Sequence, residues 1–369
     1  MAASKDAQFS GLLQICPNDG PPFADLCAAY TLAADSLGVR SHTVYLGPPG
    51  PGSSHDHRIS YLNLKDLTHH SAAAQRLKGC NPFPNPRLTL CHRYRSYRVA
   101  RVAGLPQQRS IALAHEFGML GRWQRRLDRL LSARQLTYAG ISPPVVAELE
   151  QTVSKALLLP NIIDWARLDR ELLERDAARA HLGIDPERFC IGVVGRLHHK
   201  KRPQRAIAAM AALNKTQHQS ELLFIGEGEL RTELAELAAG LPVRFAGFQR
   251  NARKYFNGLD ALLMTSSSAE AFGMVALEAL AAGLPVIAPD VPGIRSVLGE
   301  LGFYANAEAD PESLLRGIRG AMRLGARAEL TGWQAAARAR VRKEFSITAA
   351  ATRLEPLLQR TSTDLHHDG

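Results

Sequence analysis

Short apolar runs alternate with helix-like segments throughout the second half of this chain of 369 residues. The runs predict strands, and the segments between them carry apolar residues at helical spacing. Because buried strands that alternate with amphipathic helices form a parallel sheet covered on both faces, this half predicts a doubly wound α/β domain. The predicted strands are Cys190–Val194, Glu221–Ile225, Val243–Ala246, Ala261–Met264 and Val286–Ala288, and the predicted helices are Pro203–Leu213, Leu230–Ala239, Ala252–Phe256 and Met274–Ala282.

The first half of the chain shows the same alternation less regularly. The charged segment between residues 162 and 186 marks the boundary, so we expect an N-terminal lobe of residues 1–165 and a C-terminal lobe of residues 166–345. Residues 346–369 are expected to form a C-terminal helix and tail that pack back toward the N-terminal lobe. Ligands bind at the carboxyl ends of parallel strands, which predicts two Rossmann-like, doubly wound lobes that face a central cleft. The predicted elements of the first half are strands at Gly11–Pro17, Gly38–Leu46, Arg87–Cys91 and Arg109–Leu113 and a helix at Phe23–Leu37.

Composition and charge restrict the class of protein. The five cysteines are scattered without a CxxC pair, which argues against a disulfide framework or a zinc site and fits a reducing cytoplasm. No run approaches the roughly 20 apolar residues of a membrane span, and the polar N-terminus shows no signal peptide, so we expect a cytoplasmic protein. The net charge of +10 attracts anions such as nucleotides, acidic glycans, nucleic acid or an anionic membrane face. An arginine-rich solubilising surface would give the same charge.

Two glutamates flank the start of a predicted helix within the segment Ser266–Pro289. Glu270 precedes the helix and Glu278 lies about one turn inside it, so both can line the same crevice. Free N–H groups at the helix start suit a diphosphate, and Gly273 lets a ligand approach the backbone closely. Ionised carboxylates suit sugar and ribose hydroxyls. A glutamate that complements the helix dipole, beside an ordinary surface glutamate, is the structural alternative.

Cations follow the predicted strand that ends at Gly195. Arg196 offers a bidentate fork and Lys201 a point charge, and the pair suits two phosphates. Lys200 is an alternative to Lys201. Taken alone, the segment is better explained as an ordinary basic loop.

Polar residues also follow predicted strands of the first half. Gly20 lies at the first strand-to-helix turn, where it can approach a donor phosphate or an acceptor. His115 follows the strand that ends at Leu113 and is expected to face the cleft, with a hydrogen-bonded structural histidine as the alternative. His92 and Arg93 follow another strand in a similar position, so we assign them to acceptor binding.

The segment Met119–Arg134 has apolar residues at helical spacing and five arginines. Such a helix can lie on an anionic leaflet or bind an acidic glycan. A domain helix with its apolar stripe toward the core and solvated arginines is the alternative.

The run from Glu270, read as EAFG followed by LEALAAGLPVIA, resembles the EX7E signature of retaining GT-B glycosyltransferases of family 4, the glycosyl transferases group 1. The resemblance extends with interruptions from about Phe189 to Leu301. It implies a GT-B fold, in which the two lobes bind a nucleotide-sugar donor and an acceptor. It assigns Glu270, His115, Arg196 and Lys201 to catalysis.

The resemblance also implies how the donor is held. Glu278 would bond the ribose, Glu270 the sugar hydroxyls, and the Arg196–Lys201 pair the leaving diphosphate, while His115 lies near the sugar. The remaining donor-binding residues are the amides of Phe272, Gly273, Met274 and Val275, then Gly195, Gly226 and Gly228 beneath the nucleotide, Phe248 in the loop against the nucleobase, and Gly20.

Two segments depart from the family pattern. Arg202 stands where the family usually has glycine, and Val291–Ser296 stands where it commonly has GGxxE, so that Ser296 replaces a glutamate. No Asp-x-Asp motif suited to a divalent ion follows a strand, so we expect metal-independent transfer without a cofactor.

The expected function is transfer of a hexose, with UDP-sugar favoured as the donor, to a glycan or lipid-linked acceptor such as lipopolysaccharide core. The enzyme would work in the cytoplasm, with residues 119–134 as a peripheral membrane contact, and would bind no nucleic acid. A nucleotide-sugar epimerase on the same fold and a non-catalytic sugar-nucleotide or polyanion-binding module are the alternatives.

Overall fold

The computed structural model of the protein describes residues 10–51, 53–54, 56–64, 70–123, 125, 136–216, 219–266, 269–325 and 329–359. The chain divides into two compact units. The first unit joins Met1–Asp164 to Phe345–Gly369, and the second is Trp165–Glu344.

The first unit contains a seven-stranded parallel sheet in the order β3-β2-β1-β4-β5-β6-β7. The central strands are buried on both faces, and most of their side chains are apolar. The strands are β1 (Leu12–Cys16), β2 (Ser41–Tyr45), β3 (Ile59–Tyr61), β4 (Leu88–His92), β5 (Ser110–Ala114), β6 (Thr137–Gly140) and β7 (Ala156–Leu158). Among the described residues, the helices before the second unit are α1 (Phe23–Ser36), α2 (His70–Cys80), α3 (Arg93–Val102) and α4 (Pro143–Glu150).

The strand order of the first unit changes direction between β1 and β4. From β1 the chain adds β2 and β3 on one side, and it then returns to place β4 on the other side. The carboxyl ends of β1 and β4, at Cys16 and His92, therefore flank a topological switch point, where open α/β sheets bind ligands.

The second unit contains a six-stranded parallel sheet in the order β10-β9-β8-β11-β12-β13. Its switch point lies between β8 and β11. The strands are β8 (Phe189–Val194), β9 (Ser220–Ile225), β10 (Val243–Phe245), β11 (Ala261–Leu263), β12 (Val286–Pro289) and β13 (Phe303–Ala305). The helices are α5 (Trp165–Glu171), α6 (Arg175–Leu182), α7 (Gln204–Asn214), α8 (Arg231–Leu237), α9 (Met274–Ala282), α10 (Pro292–Leu298), α11 (Pro311–Gly325) and α12 (Glu329–Phe345).

The last helix, α13 (Ile347–Gln359), belongs to the first unit and packs against α1. Its residues Leu354, Leu357 and Leu358 are buried. Among the residues that the structure describes, no helix combines the length and apolar character that a membrane span requires.

The predicted strands agree with the structure, whereas one predicted helix differs in type. Ala252–Phe256 lies in a 3₁₀ helix, Ala252–Gly258, that follows Asn251 in the left-handed conformation. At seven residues it is longer than most 3₁₀ helices. The strands β3, β6, β7 and β13, of three or four residues each, were not predicted.

Candidate active site

Glycines bring the carboxyl ends of β8, β9 and β10 into close backbone contact. A Cβ at Gly226 would overlap the carbonyl oxygen of Gly195, and one at Gly228 would overlap that of Leu197. Gly226 also has a φ of 146°, which side-chain-bearing residues rarely adopt. Its N–H donates to the carbonyl of Gly247 at 2.8 Å. These backbone contacts hold the ends of the three strands closely together at the carboxyl edge of the sheet.

Lys201 and Glu270 meet across the switch point of the second unit. The chain leaves β8 toward Lys201 and leaves β11 toward Glu270, and the Nζ and Oε2 atoms are 2.5 Å apart. The hydroxyl of Thr265 donates to the carbonyl of Lys201 at 2.7 Å, which ties the two loops together. The Glu270 side chain is 17% exposed and that of Lys201 46% exposed. A cation and a carboxylate are thus held side by side where a ligand can reach both.

The cationic loop turns only one of its two lysines toward Glu270. Lys201 ends the 3₁₀ helix His199–Lys201, whereas Lys200 is exposed and its N–H donates to Nδ1 of His198. Arg202 follows with a φ of 47° and pairs with Glu308 at 3.0 Å. Arg202 therefore adopts a left-handed conformation, which glycine adopts more easily, and its side chain points to a different partner from Lys201.

Arg196 lies directly after Gly195 and is exposed. No carboxylate of the described residues forms an ion pair with its guanidinium, so its charge is available to a ligand at the end of β8. Among the same residues, no group of three or more His, Cys, Asp or Glu side chains is arranged to hold a metal ion.

The helix α9 begins after Gly273, which has a φ of 88°. A Cβ at Gly273 would have ordinary contacts, so its backbone conformation rather than lack of space requires glycine there. Gly293 differs, because a Cβ there would overlap the carbonyl oxygen of Glu270. The start of α10 is thus pressed against the loop that carries Glu270.

Glu278 is held by an arginine that sequence reasoning did not identify. Arg253 approaches Glu278 at 3.4 Å through one nitrogen and Glu171 at 3.2 Å through another. Burial raises the pKa of Glu171, but hydrogen bonds from Asn251 and Arg167 outweigh it and lower that pKa. The mostly buried Arg253 therefore joins two carboxylates that are more than 100 residues apart in sequence, and this pairing has no local sequence signal.

The segment Val291–Ser296 after β12, which departs from the family pattern, is held by contacts with neighbouring residues. Arg295 donates to both carboxylate oxygens of Asp290 at 2.7 Å and stacks over Tyr304. The hydroxyl of Ser296 donates to the carbonyl of Gly293 at 2.7 Å. Ser296 is therefore engaged within α10.

Phe248 lies at the carboxyl end of β10, beside the Gly226–Gly247 hydrogen bond, with 74% of its surface exposed. A large apolar ring so exposed can stack on a planar ligand.

A cluster of buried polar side chains lies at the switch point of the first unit. Nδ1 of His92 and Nε2 of His115 are 3.1 Å apart, and their rings are stacked with centroids 5.2 Å apart. Nε2 of His92 lies 3.4 Å from the Gln14 side-chain oxygen and 3.8 Å from Sγ of Cys27. We call Gln14, Cys27, His92 and His115 the histidine cluster.

Burial separates the roles of the two histidines. His92 has no exposed surface, so binding an acceptor would require this ring to become exposed, and its assignment to acceptor binding stays a prediction. His115 is partly exposed at the end of β5. Burial lowers the pKa of His115 well below its usual range, and the nearby His92 and Arg93 lower it further. His115 is therefore a neutral ring, backed by His92.

The first strand-to-helix turn is held by Asp19, which sequence reasoning also missed. Its carboxylate accepts hydrogen bonds from Tyr61 Oη at 3.0 Å, from the N–H of Gly50 at 3.2 Å and from Ser53. Gly20 follows it, and the Gly20 carbonyl accepts the N–H of Phe23 at 2.8 Å. The loop that carries Gly20 is thus fixed at the end of β1.

Most of the predicted amphipathic segment 119–134 lies outside the described residues. Of its described part, Met119 and Leu120 are buried and Trp123 is 70% exposed.

Residues 174–339, which lie within the second unit, match the family model for glycosyl transferases group 1. A GDP-mannose-dependent alpha-(1-6)-phosphatidylinositol dimannoside mannosyltransferase of Mycobacterium tuberculosis is 31% identical over 136 residues, which are 36% of this chain and 35% of that protein. A lipopolysaccharide core biosynthesis mannosyltransferase of Rhizobium meliloti is 26% identical over 179 residues, covering 43% of this chain and 51% of that protein. The chain therefore spans between about a third and a half of these two relatives.

The structural comparison covers nearly the whole chain. The crystal structure of Anabaena HepE in complex with UDP and glucose superposes with a TM-score of 0.74 at 16% identity, over 95% of this chain and 100% of that one. This similarity shows the fold, which is GT-B, as the resemblance implied. The second unit carries the part that matches glycosyl transferases group 1.

Proposed function

We propose that this protein is a retaining glycosyltransferase that moves a hexose from a nucleoside diphosphate to a hydroxyl group of a glycan or lipid-linked acceptor. The Lys201–Glu270 contact at the switch point carries the proposal, because it occurs in a unit that matches glycosyl transferases group 1. It holds a cation for a diphosphate beside a carboxylate for sugar hydroxyls.

Donor binding would exchange this internal pair for contacts with the substrate. The diphosphate forms ion pairs with Lys201 and Arg196. The backbone amides at the start of α9, from Phe272 to Val275, donate hydrogen bonds to the sugar and the phosphate. Glu270 then accepts hydrogen bonds from the sugar hydroxyls. Glu278 accepts the ribose hydroxyls, with Arg253 orienting its carboxylate.

In the proposed reaction, the bond between the anomeric carbon and the diphosphate oxygen breaks. The bond from the acceptor oxygen forms on the same face, and the acceptor proton passes to the departing diphosphate. Arg196, Lys201 and the N-terminus of α9 stabilise the charge that develops on the diphosphate, so the proposal requires no metal ion. His115 is assigned to the reacting sugar, where its neutral ring can donate or accept a hydrogen bond.

The nucleotide and the acceptor are the least constrained parts of the proposal. UDP is the first base to test, since a structure of this fold contains UDP, and GDP is the second, since a relative uses GDP-mannose. The lipid-linked and lipopolysaccharide acceptors of the two relatives support a cell-envelope acceptor. We place the reaction in the cytoplasm, with residues 119–134 as the proposed contact with an anionic membrane surface.

A panel of UDP- and GDP-sugars tests the proposal. A donor that binds only the folded protein raises the midpoint of thermal unfolding, and its slow hydrolysis or transfer releases the nucleoside diphosphate. We expect one donor to do both, and Arg196→Ala and Glu278→Ala to abolish turnover with the fold intact. Arg323→Ala removes an exposed arginine elsewhere in the second unit and serves as the control.

The alternatives give different results in the same assay. An epimerase would interconvert two nucleotide sugars without releasing nucleoside diphosphate, and a binding module would be stabilised without any turnover. If no member of the panel stabilises the protein, the proposal is wrong.

A further inference from the structure

Four arginines gather beyond the carboxyl ends of β4 and β5 in the first unit. Arg93 follows β4 directly, Arg95 lies in the first turn of α3, and Arg122 and Arg125 follow β5. We call them the arginine cluster. Arg93, Arg95 and Arg122 are exposed, while Arg125 is partly buried.

Arg125 shows that the positive charges are crowded. Its guanidinium stacks over Tyr94 at 4.9 Å and donates to the carbonyl of Met119 at 2.9 Å. Burial lowers its pKa, and the nearby charges of Arg122 and Arg95 lower it further. Like charges held this close repel one another unless an anion joins them.

Two described carboxylates lie near the arginine cluster, and neither neutralises it. Glu116 is mostly exposed and lies 3.8 Å from Arg93. Glu148 accepts the N–H of Gly118 with both oxygens, at 2.8 and 3.0 Å. Among the described residues, the arginine cluster therefore has one loosely held carboxylate beside Arg93, which leaves an excess of positive charge.

The backbone places Arg93 beside the histidine cluster. Arg93 has a φ of 71°, a conformation that non-glycine residues rarely adopt and that concentrates at functional sites. Its guanidinium lies 5.1 Å from the centre of the Phe23 ring. The Phe23 ring in turn meets His115 edge-on, with centroids 5.2 Å apart. One aromatic ring thus separates the guanidinium from the partly exposed histidine.

We propose that the arginine cluster binds a phosphate or carboxylate group carried by the acceptor, so that the acceptor is an anionic sugar or glycolipid. This inference rests on the proposed function. A guanidinium matches the two oxygens of such a group with paired hydrogen bonds, and several guanidiniums share its charge. The neighbouring Trp123, 70% exposed, offers an apolar face to the rest of the acceptor.

Matched binding titrations on the full chain test the inference, with the nucleotide site first filled with UDP or GDP. The probe pairs are glucose 6-phosphate against glucose, glucuronate against glucose, and phosphatidylinositol vesicles against phosphatidylcholine vesicles. We expect the anionic member of at least one pair to bind roughly tenfold more tightly or better, with the advantage shrinking as salt is added. The pair that responds identifies whether the anionic group is soluble or belongs to a lipid.

Arg93→Gln and Arg125→Gln each remove one guanidinium from the arginine cluster. We expect each to weaken binding of the anionic probe about tenfold and to leave the neutral probe unchanged. Arg323→Gln removes the same charge from an exposed position in the second unit and should change neither. Arg125→Gln keeps the test informative if the strained backbone at Arg93 does not tolerate substitution.

Equal binding of anionic and neutral probes would overturn the inference, as would an anionic preference that survives both substitutions. If both variants still bind phosphatidylinositol vesicles more tightly than phosphatidylcholine vesicles, the membrane contact lies elsewhere and the inference is also wrong. If a nucleotide binds but no anionic preference appears, this inference alone fails. If neither UDP nor GDP binds, the proposed function fails.

Discussion

Each unit has a group of polar side chains at the switch point of its parallel sheet, but the two groups differ in charge and in burial. The charged site of the second unit, Arg196, Lys201, Glu270 and Glu278, consists of ionised groups on loops and at a helix start. The histidine cluster of the first unit contains two stacked imidazole rings beside Gln14 and Cys27, and His92 is completely buried.

The difference follows from what each set of groups can exchange with a ligand. Lys201 and Glu270 form an ion pair when no ligand is present. Because a ligand can reach both side chains, each can exchange this contact for one with the ligand. A buried imidazole has no such freedom, because losing its partner leaves an unsatisfied polar group in the interior. Loss of a group should therefore impair function in the charged site and stability in a buried cluster.

Lys201→Ala gives the largest effect we expect. Loss of one preorganised cation from a developing diphosphate should lower kcat/KM for the nucleotide sugar by roughly 100- to 1000-fold. Lys200→Ala is the matched control, since Lys200 does not contact Glu270, and it should cost less than about threefold. If Lys200→Ala is the more damaging substitution, the assignment of the diphosphate to Lys201 is wrong.

Arg253→Met tests whether the arginine that holds Glu278 in the charged site contributes to stability, as we expect of a buried group. Removing the guanidinium leaves Glu278 and Glu171 facing each other without it, so we expect the free energy of unfolding to fall by about 2 kcal/mol. Urea unfolding measures this change. Arg167→Met removes a more exposed partner of Glu171 and should cost about 0.5 kcal/mol or less. Equal losses for the two variants would contradict a special role for Arg253.

The sequence predicted the parts of the molecule that repeat a local pattern. The alternation of strands and helices was sufficient to predict two doubly wound α/β domains, because period and order are local properties. The GT-B fold class and the donor-binding role of the glycines at 195, 226 and 228 came from the family resemblance. The Glu270-to-Glu278 motif indicated the helix start that the structure contains at Met274.

Contacts between distant residues could not be predicted in this way. Arg253 pairs with Glu171 and Glu278 only because three separate elements converge, and no spacing in the sequence encodes that convergence. The burial of His92 depends similarly on α1, whose Cys27 packs against it. A histidine after a strand can be exposed or buried, so its position in the sequence alone does not predict its exposure.

The histidine cluster predicts a dependence of stability on pH. Burial, with His92 and Arg93, keeps the pKa of folded His115 well below its ordinary value of about 6.5, whereas the unfolded chain titrates near that value. As the pH falls below about 6.5, only the unfolded state gains this proton. The free energy of unfolding should therefore fall by at most about 1.4 kcal/mol per pH unit.

Comparison with His115→Gln isolates this contribution. His42, whose pKa burial lowers to about 4, adds a similar dependence in both proteins, so the difference between their slopes is the quantity to measure. We expect the variant to have the shallower slope between pH 6.5 and 5. Parallel slopes would show that His115 is not held neutral, and would remove the contrast between the two sites.

Phe248→Ala gives the smallest change in nucleotide affinity that we expect, and it tests whether the exposed Phe248 ring contacts the nucleobase. If the ring stacks on the nucleobase, its removal should weaken nucleotide binding by about 1 kcal/mol, or roughly fivefold, for UDP and GDP alike. Leu237→Ala, at an exposed apolar side chain of α8, is the control and should leave binding unchanged. Because stacking requires only a planar partner, loss of binding to one base but not the other would mean that Phe248 contributes to base selection through its loop. No change for either base would exclude Phe248 from the nucleotide site and leave its exposure unexplained.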